Sequence, residues 1–181
     1  MGMGLDGIGG VGWLPSVNGS EAEEVYADMW ERLKSVDTFI LGGECYRLWE
    51  QVWPPLAKDP KSSPLEKEFS QFTDQIHKQV FSKKIKSVNW QNSELDTGDI
   101  KDAVTRSKKQ PGKDMAIVGG PKMAGLFGEL GLIDEYFLWV HPVIYGQGTP
   151  LLGHPNDERP LKVVKSKVYE SGLINLQLRP A

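Results

Sequence analysis

Residues 115–136 read MAIVGGPKMAGLFGELGLIDEY. The opening MAIV is short and apolar without polar alternation, which is the pattern of a strand buried on both faces, and it runs straight into Gly119 and Gly120. From Pro121 to Leu130 the character becomes helical, with proline at the first helical position and Gly131 placed to cap the end. Strand, glycine turn and helix in that order make a corner. Glycine lets the backbone turn sharply and come close to a ligand, and the helix that follows points its unpaired N–H groups at whatever lies there. Such a corner suits a phosphate.

The same arrangement occurs earlier in the chain. TFIL (38–41) is apolar and partly β-branched, Gly42 and Gly43 follow, and ECYRLWEQV (44–52) has helical character. Two such corners would both lie at the carboxyl ends of strands, where open α/β sheets take nucleotides. Neither is a G-x-G-x-x-G fingerprint or a Walker loop, so a standard Rossmann domain or nucleotide hydrolase is not indicated.

Around the corners, Val25, Met29, Leu33 and Val36 recur on one helical face and predict a helix over 21–35. WPPLAKDPKSS (53–63) reads as a proline-rich loop, and Ser63-Pro64-Leu65-Glu66 opens a helix whose buried face is Leu65, Phe69, Phe72 and Ile76. KQVFS (78–82) reads as a strand leading into Ser82-Lys83-Lys84, and Asp99 with Asp102 opens a helix to about Lys109. After Tyr136 come strand-like stretches, YFLWVHPVIYG, PLKVVKSKVYE and LINLQLRP, with a hairpin at Ser171-Gly172. The expected architecture is one domain over 1–181, a three-layer α/β/α fold whose sheet is mostly parallel with an antiparallel C-terminal edge.

Composition narrows the function classes. Cys45 is the single cysteine of the 181 residues, and His77, His141 and His154 are scattered, so neither a disulfide nor a zinc site is expected. Cys45 itself reads as a small buried residue rather than a nucleophile. A net charge of -3 argues against a broad nucleic-acid surface. No apolar run has bilayer length and the start of the chain lacks a secretory pattern, so no membrane partner and a cytoplasmic location are expected.

LDG (5–7), VDTFILGGECYRLW (36–49), KQVFSKK (78–84) and IVGGPKMAGLFGELGLIDEYFLWVHPVIYGQGTPLL (117–152) together resemble the dihydrofolate reductase-like family that includes the C-terminal reductase domain of bacterial riboflavin biosynthesis enzymes. The resemblance implies NADPH, with NADH also open, bound along the carboxyl edge of the sheet. It implies hydride transfer to a small heterocyclic substrate, of the 5-amino-6-(5-phosphoribosylamino)uracil or folate kind, and a homodimer formed near GQGTPLL (146–152). By the same resemblance Gly42 and Gly43 open one phosphate-binding helix, and Ser82 and Lys83 lie near the adenosine ribose or its phosphate. Gly119, Gly120, Pro121, Lys122 and Met123 would cradle the pyrophosphate. Asp6 is the candidate acid for the proton, with Asp28 and Glu24 as further candidates.

The chain departs from the family in three places. Where the family commonly shows Gly-Arg-x-Thr-Tyr, residues 42–46 read Gly-Gly-Glu-Cys-Tyr. Glu44 would repel a 2′-phosphate and favour NADH, whereas Lys83 and Lys84 would offset it, and both outcomes stay open. Val118 stands where riboflavin-pathway reductases often carry a glutamate, and MGMG stands where the family has a full apolar strand before LDG. Nucleotide binding without catalysis is the alternative function.

Overall fold

In the computed structural model the described residues are 20–118, 120–144, 150–152 and 158–181, apart from the side chains of Ser20 and Ala22. Asp6, Gly119 and most of GQGTPLL lie outside them. The chain divides into two compact units, residues 32–123 and residues 1–31 with 124–181.

In residues 32–123, β1 (Val36–Gly42), β2 (His77–Phe81), β3 (Ser93–Asp96) and β4 (Asp114–Ile117) form a parallel sheet in the order β3-β2-β1-β4. The inner strand β1 is buried at Phe39, Ile40 and Leu41, and β2 at Val80 and Phe81, which is why neither alternates in sequence. Between β1 and β2 the chain forms α2 (Gly43–Leu56) and α3 (Pro64–Gln75). They pack as a cluster of edge-to-face rings, with Phe39 of β1 meeting Trp49 and Phe72, and Trp53 meeting Trp49 and Phe69.

Two local readings change here. Trp53, Pro54 and Pro55 belong to α2 and not to the loop that follows. Proline at these positions removes donors only to the carbonyls of Glu50 and Gln51, in the last turns, and burial of Trp53 against Phe69 outweighs that loss. The strand β3 was not anticipated, since SELD offers one apolar residue and is recruited by the backbone ladder of β2. Leu65, expected on the buried face of α3, lies in its first turn and is exposed; the capping signals read true. Ser63 and Glu66 make a reciprocal capping box, with Glu66 N donating to Ser63 Oγ at 3.2 Å and Ser63 N to Glu66 Oε2 at 2.7 Å. Asp99 caps α4 (Ile100–Ser107) by accepting from Asp102 N at 2.9 Å.

The hydroxyl of Tyr46 helps to hold the segment between β2 and β3. Tyr46 is 1% exposed, and its Oη accepts from Asn89 N at 3.0 Å and Trp90 N at 2.9 Å while donating to Glu50 Oε1 at 2.9 Å. Tyr46→Phe strands the Trp90 N–H in a buried position, and urea unfolding is expected to show a loss of about 2 kcal/mol.

In the other unit, β5 (Tyr136–Val140), β6 (Leu161–Val168) and β7 (Ile174–Pro180) form an antiparallel sheet in the order β5-β7-β6. Among the described residues these strands pair with one another, so the expected antiparallel edge is a three-stranded sheet of its own. Gly172, at φ +82°, makes the hairpin turn, with Gly172 N bonded to Tyr169 O and Tyr169 N to Leu173 O. The first helix, α1 (Ser20–Lys34), contributes Val25 to a core with Tyr169, Leu173 and Trp139. The helix α5 (Pro121–Glu129) ends as read at Gly131, which sits at φ +66° with Leu132 N donating to Phe127 O and Gly131 N to Gly128 O.

Candidate functional site

The corner after β1 is built by omission. Gly42 precedes α2 with an extended backbone and offers no side chain to cap it, so the first N–H groups of the helix face outward without a side-chain acceptor. Both glycines are closely approached. A Cβ on Gly43 would stand 2.5 Å from Ser82 Oγ and 2.8 Å from Ser82 Cβ, and one on Gly42 would stand 3.1 Å from Met123 Cγ. The absence of side chains at 42 and 43 therefore admits Ser82 from the end of β2 on one side and Met123 from the first turn of α5 on the other.

Four of the candidate residues, Gly42, Gly43, Ser82 and Met123, thus meet although the sequence separates them widely. Ser82 is fixed at this place because its N–H donates to Asp96 O at 3.3 Å and its Oγ accepts from Lys84 N at 3.2 Å and Ile85 N at 3.3 Å. With its lone pairs so engaged, the hydroxyl proton remains for an outside acceptor. Lys83 and Lys122 are exposed, and Lys84 Nζ lies 3.9 Å from Glu44 Oε1. Pro121 opens α5, and Gly120 is exposed with nothing within 4 Å of a Cβ placed on it. Asp6 and Gly119 lie outside the described residues.

Cys45 joins the two corners from within. Its Sγ donates to Val118 O at 3.5 Å, tying the first turn of α2 to the end of β4, and burial pushes the thiol up to about 11. A thiol that stays protonated at neutral pH is no nucleophile, in agreement with its reading as a packing residue. Nothing in sequence spacing marked this contact or that of Met123, because both depend on the neighbouring parallel strands ending level with one another.

Asp28, the further proton candidate, belongs to the unit of residues 1–31 and 124–181. Its Oδ2 accepts from Lys167 Nζ and, at 2.6 Å, from Tyr169 Oη, and Lys167 Nζ also lies 2.9 Å from Glu24 Oε1. Burial by itself would raise the Asp28 carboxyl, but the hydrogen bonds from Lys167 and Tyr169 and the lysine charge together hold it below the usual carboxylate range. An ionised, paired carboxylate has no proton to give at neutral pH. Among the described residues there is no group of three or more His, Cys, Asp and Glu placed to hold a metal ion, and no helix long and apolar enough to cross a membrane.

The donors at this corner suit an anionic group. An uncapped helix N-terminus and the Ser82 hydroxyl stand together at the glycines, with Lys83 and Lys122 exposed next in sequence to Ser82 and Met123. The comparisons with known proteins bear on the family and on the fold. The chain matches the profile of the RibD C-terminal domain over residues 2–175. It is 33% identical over 145 residues to YyaP of Bacillus subtilis (strain 168), an uncharacterised protein, which covers 80% of this chain and 74% of that one. A solved structure from Shewanella sp. PV-4 aligns with a TM-score of 0.68 at 22% identity, covering 93% of this chain and 86% of the other. A diaminohydroxyphosphoribosylaminopyrimidine deaminase/5-amino-6-(5-phosphoribosylamino)uracil reductase from Thermotoga maritima aligns with a TM-score of 0.59 at 16% identity, over 87% of this chain and 49% of that protein. At such identities the solved structures speak to the fold alone. With a profile match that runs almost from end to end, the chain belongs to the RibD C-terminal domain family and has its dihydrofolate reductase-like α/β fold.

Proposed function

We propose that the chain, acting over 1–181 as one reductase domain and as a homodimer, is an NAD(P)H-dependent oxidoreductase that reduces a small heterocycle of the 5-amino-6-(5-phosphoribosylamino)uracil or folate type. The observation that carries this reading is the convergence on the first glycine corner of Met123, from the second corner, at Gly42 and of Ser82, from the end of β2, at Gly43. When bound, the dinucleotide supplies the hydride. The protein's part is to bind and orient it. The N–H groups that open α2 take a phosphate, the Ser82 hydroxyl donates to the ribose or its phosphate, and Lys83 and Lys122 offset the negative charge. Gly119, Gly120, Pro121 and Met123 line the pyrophosphate run, and Asp6 stands as the acid for the substrate proton. The family membership supports this reading, as does the absence of a capping side chain at Gly42.

Gly120→Asp tests it with little risk to folding, because a side chain at 120 enters open space. Titration of tryptophan fluorescence with NADPH and NADH is expected to saturate for the wild type and to weaken at least about tenfold for the variant, since a carboxylate then faces the pyrophosphate. Cofactor oxidation in the presence of a pyrimidine or folate substrate is the second readout. Binding without oxidation of any such substrate favours a non-catalytic nucleotide-binding protein. If neither nucleotide binds the wild type, the reductase reading fails.

A further inference from the structure

The antiparallel sheet sorts its side chains by charge. Along β6 and β7 the register sets Lys162 opposite Arg179, Lys165 opposite Gln177 and Lys167 opposite Asn175, so the cations of both strands stand on one face. That face is occupied within its own unit, since Lys167 meets Asp28 and Glu24 of α1, and Trp139 packs on the core that holds Val25. The other face carries Val163, Ser166 and Val168 of β6 opposite Leu178, Leu176 and Ile174 of β7, with Leu138 and Val140 of β5 beyond them. No Asp, Glu, Lys or Arg of the three strands lies on it.

This apolar face is open. Val163 is 56% and Val168 69% exposed, and Ile174 and Leu176 are only half-buried although β7 is bonded to a strand on either side. In β1, an inner strand of the parallel sheet, Phe39, Ile40 and Leu41 are at most 2% exposed. A bulge enlarges the patch, because the register slips between Val163 and Lys165 and sets Val163 and Val164 together opposite Leu178. Rows of valine and isoleucine left in water on an inner strand and its neighbour mark a surface that another molecule covers.

The chemistry of the face selects its occupant. A nucleic acid or an anionic membrane needs cations, and those stand on the face that α1 takes. Addition of a strand at the edge is disfavoured, because a bulge and three lysines blunt β6. Packing face to face remains, against a surface that is apolar and uncharged. A second copy brings such a surface by symmetry, and for a chain of net charge -3 a charge-free patch is where two copies approach at least electrostatic cost. We infer that the apolar face of the β5-β7-β6 sheet is the interface through which two copies of the chain pair about a two-fold axis. This inference rests on the homodimer proposed above and names its surface.

Sedimentation velocity on the full chain over roughly 1–100 μM, where a modest patch associates, tests it. The proteins are the wild type, Val163→Lys, Val168→Lys and, on the opposite face, Lys165→Glu, each with a melting curve at the lowest concentration. All three positions are exposed, so the melting temperatures of the dilute proteins are expected to agree. The wild type is expected to pass from monomer to dimer across the range. Each valine variant is expected to weaken the dimer at least about tenfold, since a lysine there must be desolvated in the interface. Lys165→Glu is expected to leave the dissociation constant unchanged. If a dimer forms and neither valine variant weakens it, or if Lys165→Glu weakens it as much, the sheet face is overturned while the homodimer stands. If the wild type stays monomeric throughout, the homodimer is overturned and its interface falls with it.

Discussion

Gly43→Ala is expected to abolish measurable NADH and NADPH binding and to destabilise the protein by about 3 kcal/mol in urea unfolding, a cost in the range for overpacking a filled interior. The added methyl would stand 2.5 Å from Ser82 Oγ and 2.8 Å from Ser82 Cβ, distances that carbon atoms do not share. Relief by rotation of the serine is unavailable, because Ser82 Cβ is rooted in the backbone and Oγ is held by the N–H groups of Lys84 and Ile85. The strain passes instead to the end of β2 and the turn that carries Lys83, so stability and binding fall together. Gly42→Ala gives a graded contrast. There the nearest atoms are Cγ and Sδ of Met123, at 3.1 and 3.4 Å, and a thioether side chain yields more readily than a backbone. A Gly43→Ala protein that melts with the wild type and binds dinucleotide with unchanged affinity would show that the close approach of β2 to α2 has no bearing on the site.

Lys78→Ala carries the second large effect, an expected loss of about 4 kcal/mol, as for the removal of a long side chain from a core. Lys78 is 0% exposed, and its Nζ donates to Thr73 O at 2.5 Å and to Ile76 O at 2.9 Å, closing the C-terminal end of α3 from inside the sheet. Its ammonium lies 4.4 Å over the ring of Trp90, whose indole N–H is bonded to Asp74. Burial pulls the group down to about 8, and the charge of Asp74 opposes that pull only in part. Between about pH 8 and 10.5 the unfolded lysine holds a proton that the folded one has released, so stability rises with pH through that window by up to about 3 kcal/mol. A neutral amine retains N–H groups for both carbonyls and no longer bears the cost of a buried charge. Cys45 runs the other way, since its raised thiol costs stability as pH climbs from 9 towards 11. The clean measurement is therefore the difference between wild type and Lys78→Met in urea midpoints from pH 7 to 10. Methionine fills the space without titrating, and the wild type should gain on it steadily as pH rises. A difference that stays flat across that range would mean that Lys78 keeps an ordinary affinity for its proton in the folded state.

The corners were legible because they combine two strong local signals, an apolar run without alternation and a pair of glycines. The capping box at Ser63, the cap at Asp99 and the glycine at 131 were legible for the same reason, since a cap is decided by residues within one turn of each other. What escaped was decided by tertiary neighbours. Trp53 carries the helix through a pair of prolines because it is buried against Phe69, which no window around 53 reveals. The strand β3 exists because β2 offers a ladder beside it, and its own residues are largely polar. Lys78 looked like the polar start of a strand, since its partners are main-chain carbonyls that carry no sequence signature. At the site, the glycines could be named from the chain alone, whereas the partners that fill their missing side chains, Ser82 and Met123, were brought there by β2 and α5.

The strand β1 holds two roles that many proteins separate. Phe39, Ile40 and Leu41 are among the most buried residues of the chain, and the next residue forward is Gly42 of the ligand corner. Surface loops that bind ligands can open on their own, far below the free energy of global unfolding, whereas a corner continuous with the innermost strand has little such latitude. The amides of Phe39, Ile40 and Leu41 are expected among the slowest to exchange. A ligand held at the corner therefore adds its binding energy to the stability of the whole unit rather than to a local loop. Selection on ligand affinity and selection on folding consequently act on the same few residues.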